Sequence, residues 1–297
     1  MKKMFLPVLI AMLSLATAAQ ACEFCTLHNG LGQYNNQSDF VSLTYRTTYA
    51  STTVTGGSVQ PSTGNSLAIN TIQAYYQHSF SDQLKGSLVL PTIDKTTKAN
   101  GVKTDSSSGI GDAVAMLRYT VWGDATQFFG VIGGLKLPTG AKKDAVGTST
   151  FSPDLVLGTG STDPLLGFVY NHNIENWNYS FDALYKMSMK GYDGYQFGNV
   201  LNWGLNGYRA MNDHFNIGLG AIGEIMAADS DNDGKVSGTS GTVSNTGGNV
   251  IFAQPTIQYT NAGFYAEIAY QLPVYRNFTG TQLVVDNKLL LSLRYAF

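Results

Sequence analysis

The sequence is poor in cysteine, in charge and in long apolar runs, and each shortage excludes a class of protein. Two cysteines among 297 residues cannot build a disulfide framework or a four-cysteine zinc site. Charged residues make up 13% of the chain and the formal net charge is −2, so the basic face that nucleic-acid binding requires is missing. After residue 21 the sequence has no run of about 18 apolar residues, which argues against a membrane-spanning helix there.

The first 21 residues have the pattern of an export signal. Lysines 2 and 3 precede an apolar stretch that ends near residue 16, and Ala19-Gln20-Ala21 is a small-residue cleavage pattern. The stretch is too short to cross a bilayer as a helix, which disfavours the alternative of a retained anchor. We therefore expect residues 1–21 to be removed as a signal peptide.

What the remaining chain does contain is alternation of apolar and polar residues. About twelve segments of roughly 9–14 residues have a period of two, which is typical of strands with two different faces. They lie near 41–49, 67–80, 84–92, 109–122, 126–137, 163–172, 176–187, 196–210, 214–227, 249–260, 263–273 and 284–297. A tilted strand needs about 9–11 residues to cross a bilayer, so these segments have a suitable length.

The connections between the segments alternate between short and long. The short ones lie at 81–83, 123–125, 173–175, 211–213 and 261–262, and the long ones near 51–66, 93–107, 138–160, 188–195, 228–248 and 274–282. Transmembrane barrels have this arrangement, with short periplasmic turns and long outer loops. Because lipid offers no hydrogen-bonding partner, the sheet must also close. We predict an all-β fold, a closed antiparallel transmembrane β-barrel of about 12 strands over residues 38–297, after a periplasmic segment 22–37.

The polar faces of these strands are predicted to point into the barrel. The candidate lumen-lining residues are Arg46, Gln73, Asp112, Arg118, Lys136, Asp182, Lys186, Glu224, Glu267, Gln271, Lys288 and Arg294. Such charges can fill a closed barrel as ion pairs, or they can line a passage for small polar or amphipathic solutes, and the sequence leaves both open. Pro255 lies inside the tenth segment, where the missing N–H predicts a bulge or a break.

The chain ends with an apolar alternating strand and a terminal phenylalanine, as closing strands of outer-membrane barrels do. We expect Tyr295 and Phe297 to form the signal that the barrel assembly machinery recognises. The expected location is the outer membrane of a Gram-negative bacterium. The expected partners are outer-membrane lipid, the assembly machinery and small-molecule solutes, without nucleic acid.

Cys22 and Cys25 form a C-x-x-C pair that His28 follows. In an oxidising periplasm a local disulfide or redox pair is the first interpretation. A metal site with His28, a lipidated Cys22 and an unpaired state are the alternatives. Residue 26 is threonine, so the pattern for c-type haem attachment fails, and we expect no cofactor.

An acidic segment, DSDNDGKVSGTS at 229–240, matches the first half of a calcium loop. Asp229, Asp231 and Asp233 have the required spacing, but Ser240 stands where a bidentate glutamate is needed. A weak divalent-ion site and a solvated outer loop are the two interpretations.

A hydrolase or protease site would need a histidine, a nucleophile and an acidic residue that converge at one rim of the barrel. The sequence places three histidines beside periplasmic turns, where we expect no such set: His78, His172 and His214. The sequence therefore predicts no enzyme.

Four stretches resemble one family. They are GIGDAVAMLRY (109–119), GLKLPTG (134–140), GTGSTDPLLGFVY (158–170) and YQLPVYRNFTGTQLVVDNKLLLSLRYAF (270–297). They are similar, in the same order, to the outer-membrane transporter-like β-barrels of the MetA-pathway of phenol degradation family. The resemblance implies an outer-membrane channel or transporter for small molecules, aromatic or hydrophobic ones among them. The alternative function is a structural or docking barrel, plugged by its N-terminal C-x-x-C segment and in contact with a periplasmic redox partner.

Overall fold

The computed structural model describes residues 39–124, 126–144 and 152–297. The predicted signal peptide and the N-terminal segment with Cys22, Cys25 and His28 lie outside these residues. In the described part of the chain, no helix has the length and apolarity needed to cross a membrane.

The described residues form sixteen strands and one short 3₁₀ turn at Tyr192–Gly194. The strands are β1 (Phe40–Gly56), β2 (Ser58–Val59), β3 (Ser66–Ser79), β4 (Leu84–Ala99), β5 (Val102–Ile110), β6 (Ala113–Gly123), β7 (Gln127–Leu137), β8 (Asp163–Ile174), β9 (Trp177–Lys186), β10 (Tyr195–Gln196), β11 (Val200–Ala210), β12 (Phe215–Met226), β13 (Ser230–Asp231), β14 (Gly241–Thr242), β15 (Gly248–Asn261) and β16 (Phe264–Ala296).

Eleven of these strands form one closed antiparallel barrel. Their order is β16-β15-β12-β11-β9-β8-β7-β6-β4-β3-β1, and β1 pairs with β16 to close the ring. The pairing of β1 with β16 runs from Phe40 opposite Ala296 to Gly56 opposite Phe278. The predicted barrel fold is therefore confirmed, with the last strand closing on the first.

The final strand, β16, crosses the wall twice. A ring of eleven strands cannot close with every neighbour antiparallel, because the direction must alternate and eleven is odd. Residues 264–278 pair with β15, and residues 281–296 together with Phe278 pair with β1, so β16 reverses at Gly280, which has a φ of 69°. We call these two parts the first and second arms of β16. With both arms counted, the wall has about the 12 strands that the sequence predicts.

Two predicted outer loops are instead strand. The structure continues β4 to Ala99 and returns as β5, so the predicted loop 93–107 is a β-hairpin. Its turn is Asn100-Gly101, where both residues have positive φ, as a two-residue hairpin turn requires. The predicted loop 274–282 is likewise mostly the two arms of β16. The predicted strand 109–122 is wrong as one unit, because the chain leaves the ladder at residues 111–112 between β5 and β6.

The two faces of the wall separate as the alternation predicts. On the second arm of β16, Leu291, Leu293 and Tyr295 are exposed on the outside, whereas Lys288 and Leu290 are buried inside. The short turns between the wall strands lie at one end, which barrel architecture assigns to the periplasm, and the long connections lie at the other, outer end. The architecture is that of a membrane-spanning barrel with an apolar outer band.

Candidate functional site

The barrel interior contains the predicted lumen-lining residues. The buried members of the set, each at most 5% exposed, are Arg46, Gln73, Asp112, Arg118, Lys136, Asp182, Glu224, Glu267, Gln271 and Lys288. Lys186 and Arg294 also lie on the inward parity of their strands and are partly exposed. Their role in lining a passage stays a prediction, because burial alone does not distinguish a filled barrel from a channel.

The interior is also more apolar than the sequence predicts. Phe40, Tyr75, Met116, Phe128 and Leu184 belong to a cluster of ten buried apolar residues on the inward faces of the strands from β1 to β9. A polar lumen alone therefore does not describe this barrel. The mixture suits solutes that have both an apolar and a polar part.

Ion pairs and amide pairs connect the inner walls. Lys288 donates a hydrogen bond to Glu224, and its ammonium group lies 4.4 Å from the ring centre of Phe252. The amide of Gln271 donates to Gln254 at 2.6 Å. These contacts satisfy part of the buried polar surface, as burial in a low dielectric requires.

A buried ion cluster centred on Lys136 lies at the outer end of the barrel. The Lys136 ammonium is 2.6 Å from an Asp112 oxygen and 3.1 Å from an Asp163 oxygen. It also donates to the Ser161 carbonyl at 2.9 Å and to the Thr159 hydroxyl. The side chains of this lysine and both aspartates are almost fully buried, so the cluster ties β7 and β8 to the connection between them.

The connection after β7 folds back toward the barrel. The amides of Gly140 and Thr159 both donate to the Asp112 carboxylate, at 3.0 and 2.8 Å. Gly140 and Gly158 cross so closely that a Cβ on Gly158 would lie 2.6 Å from the Gly140 Cα. The sequence shows Lys136 and Asp112 as inward residues but does not show that they hold a loop.

Apolar residues of the same connection are buried. Leu157 packs with Leu67, Ile69 and Ile93 on the inner wall, and the Lys95 ammonium donates to the Val156 carbonyl at 2.7 Å. Val156 itself packs with Tyr195 and Phe197 and with residues of the loop after β12. The described parts of the three outer connections, residues 138–144, 152–162, 187–199 and 227–247, form an assembly that we call the cap, and it covers part of the outer mouth.

The predicted calcium-loop residues are tied into the cap. Tyr195 donates to Asp229 at 2.6 Å, and burial together with this carboxylate raises the pKa of Tyr195, so its hydroxyl stays protonated. Burial raises the pKa of Asp231. The amides of Gly234, Val236 and Ser237 donate hydrogen bonds to its carboxylate and lower the pKa by more, so the pKa lies below its ordinary value.

Asp233, the third predicted ligand, forms an exposed ion pair with Lys235 at 3.2 Å. Among the described residues no group of three or more histidine, cysteine and acidic side chains has the geometry of a metal site. The calcium site stays a prediction.

The periplasmic end has two adjoining cavities of about 490 and about 270 Å³. Thr260, Tyr265 and Arg294 line both of them, and we call the pair the vestibule. The larger volume lies within the usual range of about 300–1,000 Å³ for small-molecule sites. The walls are rich in amides and aromatic rings, and they include Phe40, Asn173, Asn178, Tyr208, Asn216 and Gln258.

Arg294 is held between two aromatic rings in the vestibule wall. Its guanidinium carbon lies 4.5 Å from the ring centre of Tyr265 and 5.1 Å from that of Phe40. The Tyr265 hydroxyl donates to Glu267 at 2.6 Å, and the Phe40 ring stacks on Tyr75 with centres 5.3 Å apart. The sequence identifies Arg294 as inward-facing but gives no sign of these two rings.

The seam between β15 and the first arm of β16 is interrupted near Pro255. On β15, residues 248–253 pair with β16 and pairing resumes at Thr256, so Gln254 and Pro255 lack partners in this ladder. The register shifts once, between Ile251 and Phe252. Proline has no N–H to donate, and Pro273 stands opposite Phe252 on the partner strand. The ladder therefore loses its pairs at Pro255, as the missing N–H predicts, but the register is the same on both sides and β15 continues, so the bulge lies at Ile251 and Phe252 instead.

The three described histidines lie at the periplasmic end. His78 is 2.6 Å from Asp39, whose pKa is lowered by the Ser79 amide and by His78. His214 contacts the Thr260 carbonyl at 3.1 Å, and His172 contacts the Tyr170 hydroxyl at 3.4 Å.

Sequence reasoning missed three inward charges. They are buried, at 0%, 1% and 6% exposure for Asp163, Lys85 and Lys95. Each shares its parity with inward apolar neighbours on the same strand, such as Leu165 for Asp163 and Val89 and Ile93 for the two lysines, so strict alternation could have found all three.

No protein-family model matches this chain, and no curated protein matches it. Solved structures do match. The COG4313 outer membrane channel from Pseudomonas putida F1 is 16% identical, over 88% of this chain and 95% of that chain, with a TM-score of 0.68. The translocator domain of the autotransporter NalP from Neisseria meningitidis is 12% identical, over 92% of each chain, with a TM-score of 0.50.

At such low identities these similarities show the fold and leave the function open. One of the two proteins is a channel and the other a translocator domain, so this architecture serves more than one purpose. The resemblance to the phenol-degradation family is supported only at the level of a transporter-like barrel, and the specific family stays a prediction. The chain has the fold of outer-membrane β-barrels, with a closed antiparallel wall.

Proposed function

We propose that this barrel is an outer-membrane channel for small molecules with both apolar and polar parts, and that it performs no covalent chemistry. The observation that carries the proposal is the vestibule, because a barrel that only fills space has no need of cavities of about 490 and about 270 Å³ at one mouth. The inner wall beyond it combines apolar side chains with charged ones. Such a surface fits aromatic and amphipathic solutes better than sugars.

The route to the outside passes either the cap or the seam at Pro255. The cap covers part of the outer mouth, so passage through that part requires residues 138–144 and 152–162 to move. The seam offers a sideways route, since the ladder beside Pro255 is interrupted and Phe252 and Gln271 lie directly behind it. Apolar side chains surround the seam on the lipid side, where Leu219 and Val274 are 65% and 67% exposed.

Reconstitution tests the proposal. Purified protein in liposomes should admit phenol-sized solutes faster than a disaccharide, and in planar bilayers it should carry a small current. A barrel without flux and without current would contradict the channel. Current that arises only after removal of residues 22–37 would instead support the alternative, in which the N-terminal segment plugs a docking barrel.

A further inference from the structure

Carboxamide side chains are concentrated at the periplasmic end of the barrel, on strands that follow one another in the ring. The smaller cavity of the vestibule is lined by Asn173 on β8, Asn178 on β9, Asn216 on β12 and Gln258 on β15. In the ring order, β11 is the strand between β9 and β12. A carboxamide donates and accepts hydrogen bonds without carrying a charge. We call these four residues the amide belt.

One part of the amide belt is fixed by hydrogen bonds. The Asn178 nitrogen donates to Asn173 at 2.6 Å and to Asn171 at 3.1 Å, which uses both of its hydrogens. The Gln258 nitrogen donates to the buried Glu267 carboxylate at 3.0 Å. These side chains form a pre-arranged polar wall, so a ligand does not have to order them.

Asn216 keeps hydrogen-bonding capacity toward the cavity. Its nitrogen lies 3.5 Å from the Gln258 oxygen, which is beyond the usual length of an N–H···O hydrogen bond. Within residues 39–124, 126–144 and 152–297, no donor forms a hydrogen bond with the Asn216 oxygen. The half-buried Asn216 therefore presents an acceptor and a weakly engaged donor side by side.

Two tyrosine rings line the smaller cavity together with Asn216, namely Tyr208 on β11 and Tyr265 on β16. Gly218 lies two residues after Asn216 on the same inward face of β12, and a Cβ there would lie 2.3 Å from a ring carbon of Tyr208. The missing side chain thus gives the Tyr208 ring its place. The Tyr265 hydroxyl donates to Glu267 at 2.6 Å, which fixes the second ring. A flat apolar body can contact these rings while its polar group reaches the Asn216 carboxamide.

The charges of the vestibule give little advantage to an ionic ligand. Of the residues that line the two cavities, Arg294 has a permanent positive charge, whereas Asp213 and Glu175 are acidic. The Arg294 guanidinium lies against Tyr265 and Phe40, and its Nε and Nη1 atoms are buried, so it offers little surface to an anion. Both acidic side chains are exposed at the rim, where water and salt screen their attraction for a cation. An ion that enters the cavity loses hydration without gaining a close partner.

We propose that the smaller cavity binds uncharged primary amides with a flat apolar body, with the amide group paired with Asn216 and the body against Tyr208 and Tyr265. Two carboxamides can form two parallel hydrogen bonds because each places an acceptor beside a donor, as asparagine does toward the edge of adenine. The cavity volume of about 270 Å³ lies just below the usual range of about 300–1,000 Å³ for small-molecule sites, which favours a ligand with a single ring.

The inference names a substrate class for the proposed channel and rests on that function for transport, but binding can be measured without transport. The probes are 4-fluorobenzamide and 4-fluoroacetophenone, which have the same shape and differ in an amino group against a methyl group. Both are titrated by fluorine NMR into the full chain in detergent micelles, with empty micelles subtracted. We expect the amide to bind about three- to tenfold more tightly than the ketone, because only the amide can donate to the Asn216 oxygen. The anionic relative, 4-fluorobenzoate, should bind more weakly than the amide.

Two variants complete the test. Asn216→Leu keeps a side chain of similar size and removes its donor and acceptor, so it should lower the affinity for the amide to that for the ketone and leave the ketone within about twofold. The matched control is Gln127→Leu, which changes an outward-facing carboxamide on β7 that lines neither cavity and should bind both probes as the unmodified protein does. If Asn216→Leu fails to assemble, Asn216→Ala removes the same two groups, and the comparison of amide with ketone in the unmodified protein still decides the matter.

The outcomes separate the inference from the proposed function. Equal binding of amide and ketone, or an equal loss of both in Asn216→Leu, overturns the inference even if solutes still cross the liposome membrane. Tighter binding of the benzoate than of the amide overturns it as well. Selective binding of the amide at Asn216 in a barrel that admits no solute supports the amide site and contradicts the channel.

Discussion

Replacing Lys136 with methionine should open the cap. The change removes the cation that lies 2.6 Å from Asp112 and 3.1 Å from Asp163, while methionine keeps a similar length of apolar side chain. Asp112 still accepts hydrogen bonds from the Gly140 and Thr159 amides. Asp163 still accepts one from the Met189 amide at 2.9 Å. The two carboxylates are then buried without their shared positive charge, and moving residues 138–144 and 152–162 outward lets water reach them.

The magnitude follows from the burial of the cluster. Removing one partner of a buried ion pair costs about 3–5 kcal/mol, because the other charge is left in a low dielectric. Since about 1.4 kcal/mol is a factor of ten, the ratio of open to closed cap should rise by roughly a hundredfold to several thousandfold. If the cap limits flux, the mean current per barrel should rise. The size of the rise depends on the fraction of barrels whose cap is closed in the unmodified protein.

Two measurements detect the opening. Trypsin should cleave after Lys142 or Lys143 faster in Lys136→Met, since these residues lie on the connection that the cluster holds. The mean current in planar bilayers should increase in parallel. The matched control is Lys142→Met, which removes an exposed loop lysine paired with Asp193 and Asp144 and should leave the current unchanged.

A companion variant tests the cause. Lys136→Met with Asp163→Asn removes one of the two uncompensated charges, and it should restore part of the closure. Identical current and identical trypsin sensitivity in Lys136→Met and the unmodified protein would refute the idea that this cluster holds the cap. An equal rise in current in Lys142→Met would refute it too, because it would point to a general effect of charge at the outer mouth.

Three further changes have definite expected outcomes. Pro255→Ala restores an N–H at the seam between β15 and β16. If solutes pass through the wall at this seam, the variant should admit phenol-sized solutes more slowly in the liposome-swelling assay and should still exclude a disaccharide. Asp231→Asn should speed hydrogen exchange of the Val236 and Ser237 amides, which donate to this carboxylate. Because the pKa of Asp231 lies below the ordinary aspartate value of 3.8, the protection of these amides in the unmodified protein should persist down to pH 3.8 and be lost only at lower pH. Phe297→Ala should reduce the heat-modifiable, assembled fraction in outer membranes, as the predicted assembly signal requires, whereas Leu293→Ala, a matched loss on the same lipid-facing side, should assemble normally.

The wall of the barrel could be read from the sequence because its cause is local. A strand in this wall has lipid on one side and the interior on the other, so its residues alternate whatever its neighbours are. That is why the parity of Lys136, Asp182 and Arg294 was predictable residue by residue. The two hairpins taken for loops were missed although Asn100-Gly101 is a strong turn signal, because strands that extend beyond the membrane have no lipid to impose the alternation.

The candidate site was harder to predict because its contacts join distant parts of the chain. Nothing in the sequence near Lys136 shows that residues 159–161 return to it, and only the apolar run at 155–157 inside a polar loop hints that this loop is buried. The two rings beside Arg294 come from β1 and the first arm of β16, which closure of the barrel brings together. Such pairs depend on the closed ring and not on any local pattern.

The two ends of the barrel should therefore act independently on transport. Lys136 lies near the outer end of β7 and Arg294 near the periplasmic end of β16, and the hydrogen bonds and ion pairs described around Lys136 involve none of the vestibule residues. Sites without shared partners usually contribute additively to the free energy. Lys136→Met should raise the entry rates of anionic benzoate and uncharged benzyl alcohol by the same factor, whereas Arg294→Gln removes a cation from the vestibule wall and should change only their ratio. In the double variant the two effects should multiply. If Lys136→Met alters the ratio of acid to alcohol, the cap takes part in selection, and the assignment of gating to one end and selectivity to the other is wrong.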